Sequence, residues 1–171
     1  MQYSPRNAIM YVSMADAGTV ELLRSMGKDI VSSANLVSQF EAVLTDAQLE
    51  THLEAGRRID ALLAEAFAEM GRLVRTSGTS EIAMVEHLEA AMRTAGLVWE
   101  HRPNVSVGPN SADSHYEPTP ESSRPIRPGD FVLIDIWGKL DQPNSTFYDI
   151  TWTGVVDREP TEKEQLIFST L

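Results

Sequence analysis

Between Leu49 and Val74 apolar residues recur at helical spacing for about seven turns: Leu49, Leu53, Ile59, Leu62, Leu63, Ala66, Phe67, Met70, Leu73 and Val74. A period of 3.6 sustained this long reads as one amphipathic helix whose apolar stripe must lie on another layer. Its polar side, with Glu50, Glu54, Arg57, Arg58, Glu65 and Glu69, reads as a solvated face. Thr45-Asp46-Ala47-Gln48 has the form of a capping box, and Leu44 and Leu49 are placed for a hydrophobic staple. A second helix opens near Thr79 or Ser80, runs through Ile82, Val85, Leu88 and Met92, and stops at Gly96.

What these helices pack on comes later in the chain. Val105-Ser106-Val107 reads as a short strand, and a loop rich in Pro, Ser and Asp follows from Ala112 to Gly129. Phe131 to Trp137 and Phe147 to Thr153, continuing to Val156, then read as strands joined by a turn around Asp141-Gln142-Pro143-Asn144. Helices first and strands later make the chain α+β, with two long helices packed on an antiparallel sheet. Before Phe40 the elements are shorter: a strand at Ala8–Val12, a helix from Gly18 to Met26 stopped by Gly27, and an extended piece at Asp29–Ser33. One helix between two short strands is too little for a core, so this zone reads as the edge of something larger.

Composition narrows the function classes. At 171 residues the length is that of one domain. Fourteen basic against 25 acidic residues give a net charge of −11, which argues against a nucleic-acid or anionic-membrane partner. The absence of cysteine excludes disulfide frameworks, zinc fingers and thiol nucleophiles. No apolar run reaches the ~20 residues of a membrane span, and the N-terminus lacks a signal-peptide pattern, so a cytoplasmic location is expected.

The physical anomaly lies in the two strands. Apolar and aromatic residues occupy both alternating faces of each run, which reads as burial on both sides. Yet Asp135 sits inside the first run and Asp149 inside the second. An ionised carboxylate in a dry sheet is costly unless it is paired or ligates a metal. A simple hairpin centred near Gln142 places the two directly opposite, with Cβ atoms ~5 Å apart, where like charges repel. A Lys or Arg partner, a shared proton or a divalent metal would each relieve this, and oxygen ligands suit the metal best. Ordinary aspartates near solvent are the plain alternative. His115, in the loop leading toward Asp135, could hydrogen-bond a substrate or move protons near neutral pH; a surface histidine is its plain alternative. His52, His87 and His101 receive no role.

Taken together, Gly108-Pro109-Asn110-Ser111-Ala112, His115-Tyr116, Gly129-Asp130-Phe131-Val132-Leu133-Ile134-Asp135 and Tyr148-Asp149-Ile150-Thr151-Trp152-Thr153 resemble the first half of a pita-bread metallopeptidase. That family holds the methionine and Xaa-Pro aminopeptidases, prolidases and creatinase, and the Xaa-Pro aminopeptidase and prolidase branch is the nearest. The resemblance implies that Asp135 and Asp149 are metal ligands and that His115 contacts substrate and steadies the tetrahedral intermediate, with Tyr116 beside it in the substrate site. It implies hydrolysis of N-terminal peptide bonds by a metal-activated hydroxide, with manganese, cobalt or zinc, two ions in the complete site. It also divides the chain into residues 1–35, the end of a preceding domain, and 36–171, the N-terminal half of the catalytic one.

The departures are specific. Asp135 and Asp149 stand fourteen positions apart, wider than the family spacing, and the turn at Asp141–Ser145 is expected to hold the extra residues. The family's own spacing is an odd number of positions and cannot keep a simple opposed pair, so a bulge is expected somewhere. Trp152 replaces a frequent Arg and Asp157 a usual Gly. The family's further His and two Glu ligands have no counterpart before Leu171, where a helix opened by the Thr161–Glu164 capping box is still running. The chain alone is therefore expected to lack peptidase activity. The alternative is a non-catalytic peptide- or protein-binding module, able to self-associate through exposed apolar surface.

Overall fold

The computed structural model describes Tyr3 and residues 14–170. The chain divides into two compact units, Met1–Ala47 and Gln48–Leu171. The first carries helix α1 (Ala17–Ser25) and helix α2 (Ala34–Glu41). Asp16 caps α1, accepting from the Thr19 amide at 2.9 Å and the Thr19 hydroxyl at 2.6 Å. Gly27, at φ 72°, ends it where expected. The expected strand at Ala8–Val12 lies outside the described residues. The expected extended piece at Asp29–Ser33 is irregular chain, and a helix follows it that the short Ala34–Glu41 pattern did not announce.

The second unit is the α+β body. Helix α3 (Asp46–Arg75) runs 30 residues. Its buried stripe is Ala55, Ile59, Leu63, Ala66 and Met70, at steps of three and four. Leu49 and Leu53 belong to the same sequence pattern but are 45% and 61% exposed, so the packed stripe begins one to two turns later than expected. Strand β1 (Thr79–Ser80) leads into helix α4 (Glu81–Thr94), whose N-cap Ser80 accepts from the Ala83 amide. Met84, Val85, Leu88 and Met92 form its buried face.

Both helices cover one face of an antiparallel sheet. Its centre is strand β5 (Phe131–Leu140), longer by three residues than expected. Strand β6 (Tyr148–Val155) pairs along one edge of β5; β2 (Leu97–Val98) and β3 (Asn104–Val107) lie end to end along the other. Strand β4 (Pro125–Ile126), inside the expected long loop, pairs with β1. Burial along β5 alternates strictly: Val132, Ile134, Ile136, Gly138 and Leu140 face the helices. The expectation that the strands are buried on both sides is therefore corrected. The face of Leu133, Asp135 and Trp137 is half-buried to exposed, and its aromatics made an open face look like a second core.

On the helix side the sheet is tightly fitted. Tyr148, Ile150 and Trp152 of β6 pack against the core. The Tyr148 ring lies so close to α3 that a Cβ on Gly56 would sit 2.8 Å from it, so only glycine leaves room there. Two residues beyond β6 stands Asp157, whose φ of 57° explains why glycine suits this position; Arg75 meets its carboxylate at 2.7 Å. Helix α5 (Glu162–Thr170) opens with the expected reciprocal cap, Glu164 receiving the Thr161 amide while its own amide donates to the Thr161 hydroxyl. No helix among the described residues is long and apolar enough to cross a membrane.

Candidate metal and substrate site

The register of β5 and β6 decides where the two aspartates meet. Asp135 pairs with Thr151, and Trp137 pairs with Asp149. The carboxylates therefore share the open face as a diagonal pair, two residues out of step, instead of standing directly opposite. The β5–β6 ladder keeps one register from Phe131↔Val155 to Gly138↔Tyr148, so no bulge lies in this hairpin. The extra turn residues shift the pairing as a block.

The bulge sits on the other edge. Residues 99–103, between β2 and β3, span only Ile136–Gly138 of β5, which throws the connecting chain out over the open face. It brings His101 onto Trp137, ring centroids 5.7 Å apart, and Trp137 in turn lies 5.7 Å from Phe147. Below this bulge Asn104 pairs with Asp135, so Asn104, Asp135 and Thr151 form one row across three strands.

A cleft of about 310 Å³ opens on this face. Asp135 and Asp149 line it together with His115 and Tyr116, so the structure gathers all four sequence-predicted residues in one place. His101 and Asn104 line it as well, and neither was expected to. A smaller pocket of about 250 Å³ adjoins it and shares Asn104, Ser114 and Asp135. His115 is exposed; its amide donates to Asp113 Oδ1 at 2.9 Å, and its Nδ1 lies 3.3 Å from the Ser114 hydroxyl. Tyr116 borders the cleft while its hydroxyl donates to Glu81 at 2.6 Å, and burial together with that bond pushes the phenol above its usual range.

The electrostatics are those of an uncompensated anionic pair. Thr151 Oγ1 donates to Asp135 Oδ1 at 2.6 Å, which fixes that carboxylate and leaves its second oxygen unclaimed by this hydroxyl. Burial, and then the charge of Asp135, push the Asp149 carboxyl above the ordinary range. Among the described residues neither aspartate forms an ion pair. Lys139 lies over the Phe147 ring instead. Two hard oxygen donors on one face without a cationic partner fit a divalent ion. They fit it as part of a set, since no group of three or more His, Cys, Asp or Glu among the described residues could hold a metal.

Residues 50–171 match the model of Metallopeptidase family M24. The chain belongs to this family. No curated protein matches the chain. Among solved structures, a dipeptidase PepE from Mycobacterium ulcerans is similar at 24% identity and TM-score 0.68, over 93% of this chain and 40% of that one. A prolidase from Pyrococcus furiosus is similar at 22% identity and TM-score 0.62, over 91% of this chain and 43% of that one. A dipeptidase from Pyrococcus horikoshii OT3 follows at 22% and 0.57, over 82% and 36%. The M24 chain described here thus spans less than half of each of these neighbours, and it has the architecture of the N-terminal part of their pita-bread fold.

The site residues that sequence reasoning passed over are His101, Asn104 and Glu81. His101 stood at a strand edge, and only the two-residue slip between β2 and β3 turns it onto the cleft. Asn104 precedes a two-residue apolar pattern too short to reveal its row-mate. Glu81 follows an N-cap serine, where an acidic residue ordinarily serves the helix dipole; nothing in the sequence marks it as buried.

Proposed function

We propose that this chain carries part of the active site of a metal-dependent aminopeptidase that hydrolyses N-terminal peptide bonds, of the Xaa-Pro type. The observation that carries the reading is the diagonal pair Asp135 and Asp149, without a cation, in one cleft with His115. Two of the similar structures, a dipeptidase and a prolidase, agree with this class of chemistry.

In this reading Asp135 and Asp149 hold the divalent ion, manganese, cobalt or zinc. Bound there, it would polarise the scissile carbonyl and lower the pKa of water. The remaining work falls to the chain itself. Thr151, donating to Asp135 Oδ1, keeps that carboxylate in one rotamer at the wall of the cleft. His115 offers a ring nitrogen to the substrate carbonyl, where hydrogen bonding strengthens as negative charge develops on oxygen. Tyr116 shapes the wall next to it, with its hydroxyl committed elsewhere. The Trp137 ring, lying tilted between those of His101 and Phe147, supplies an apolar surface beside the carboxylates for the substrate side chain. Two carboxylates alone bind a divalent ion weakly, and the reading assigns the isolated chain no peptidase turnover.

The test is calorimetric titration of the chain with Mn²⁺, compared with Asp149→Asn. Loss of at least most of the heat in the variant supports the reading. Equal uptake by both means that Asp149 is no ligand. A non-catalytic binding module would give no specific uptake by either protein.

A further inference from the structure

Glu81 is the first residue of α4 and is completely buried. Its carboxylate accepts from four donor groups and donates to none. Oε1 takes the Val107 amide at 2.8 Å and Asn110 Nδ2 at 2.9 Å. Oε2 takes the Tyr116 hydroxyl at 2.6 Å, the Arg124 amide at 2.7 Å and a longer 3.2 Å contact from the same Asn110 nitrogen. The Glu81 amide returns a bond to the Arg124 carbonyl at 3.0 Å, and the Ile82 amide meets Ser123 Oγ at 3.0 Å. No ion pair reaches this carboxylate among the described residues.

A buried carboxylate is a poor way to fill a core, since an apolar side chain of equal volume usually serves stability as well or better. What this one supplies is geometry. Its four partners lie 26, 29, 35 and 43 positions further along the chain. They are the end of β3, the 3₁₀ turn at Gly108–Ala112, the loop of Tyr116 and the entry to β4. One carboxylate thus ties every stretch of the irregular segment that carries His115. Tyr116 is held at both ends, by Glu81 at its hydroxyl and by Asn104 Nδ2 at its carbonyl (2.8 Å). Its amide bonds the Asp113 carbonyl at 3.1 Å, and the Asp113 side chain takes the His115 amide. His115 therefore stands between two fixed points, with Asn104 in the sheet row of Asp135.

We propose that Glu81 is a positioning residue of this site, its carboxylate fixing the loop that presents His115 to the cleft beside Asp135 and Asp149. The role rests on the reading of His115 given above. Replacing the carboxylate by an amide keeps shape but not function, because donors face both oxygens. Whichever way a glutamine is turned, its NH₂ meets at least two other N–H or O–H groups.

The test follows amide exchange by NMR in Glu81→Gln, read against the β5 core amides of Ile134 and Ile136. Loss of bonds to a buried charged group is expected to speed exchange at Val107, His115 and Arg124 by about 10- to 100-fold, with the core amides unchanged. The Tyr116 phenol, titrated by ultraviolet absorbance, is expected to fall toward its ordinary value of 10.0. Mn²⁺ broadening supplies a signature that a merely structural role would not move. Glu81→Gln should bind the ion as the parent does, while the His115 ring signal loses its broadening. Unchanged loop exchange and broadening would overturn the proposal, as would loss of protection spread equally over loop and core. Should Glu81→Gln not fold, Tyr116→Phe removes one arm only. Faster exchange at His115 with Val107 and Arg124 unmoved then supports the proposal, and no change at His115 overturns it. If the parent chain takes up no Mn²⁺, the metal reading fails, and the exchange arm alone decides the role of Glu81.

Discussion

The cost of the aspartate pair gives a prediction with an unusual sign: removing a site residue should stabilise the metal-free chain. In Asp149→Asn the side chain keeps its shape and loses its charge. A diagonal pair on adjacent strands stands about 7–8 Å apart. At that separation two like charges repel by about 0.6 kcal/mol in bulk water and about 2 kcal/mol at an effective dielectric of 20. Both side chains reach the open face, so salt and solvent bring the expected gain to about 0.5 kcal/mol. The pH dependence follows from the raised Asp149 pKa, caused first by burial and then by Asp135. A carboxyl whose folded pKa is raised carries no penalty below its unfolded value of 3.8; the folded state loses stability as pH rises through the folded pKa and carries the full penalty above it. The difference between parent and variant should therefore be complete at pH 7 and fade toward pH 3.8. Urea unfolding in chelator measures it as a midpoint shift of about 0.2–0.3 M. Added Mn²⁺ should reverse the order, because ligand at 100 times its Kd stabilises the parent by about 2.7 kcal/mol. A variant less stable than the parent in chelator would mean that the two charges do not oppose each other, and one that gains equally from Mn²⁺ would mean that Asp149 is no ligand.

Three further outcomes test the fold that carries the site. Ile134→Ala, at a fully buried position of β5, should cost about 2–5 kcal/mol in urea unfolding. Gly56→Ala reverses the usual rule: alanine ordinarily favours a helix, but its Cβ would stand 2.8 Å from the Tyr148 ring, so a loss of about 1–3 kcal/mol is expected in the same assay. Arg158, with the Thr161 amide and hydroxyl, holds Glu164 at about 2, well below its ordinary 4.5. The support this gives the first turn of α5 is present above pH 4.5 and lost as pH falls through about 2, so Gln165 amide protection should persist to pH 4 and disappear in Glu164→Gln.

The long helix, its partner and the strand hairpin were legible because each is built on a period. Ile59, Leu63, Ala66 and Met70 mark a helical stripe, and Val132, Ile134 and Ile136 mark a strand face. Asp135 and Asp149 stood out because charge interrupted those periods. What the pattern could not give was which side of β5 is covered, since Leu133 and Trp137 look as apolar as the residues that face the helices. Register was equally hidden. It depends on how the Asp141–Ser145 turn absorbs its extra residues, and a step of two changed an opposed pair into a diagonal one while sending the bulge to the 99–103 connection. Glu81 was out of reach for another reason: its four partners are joined only by tertiary structure.

Whether these two aspartates hold the metal is answered by anomalous diffraction from crystals of the chain soaked in Mn²⁺. With Asp135 and Asp149 as the ligands, the manganese peak is expected between their carboxylates, in the cleft that His115 borders. A peak bound elsewhere, with these two carboxylates free of metal, would contradict it.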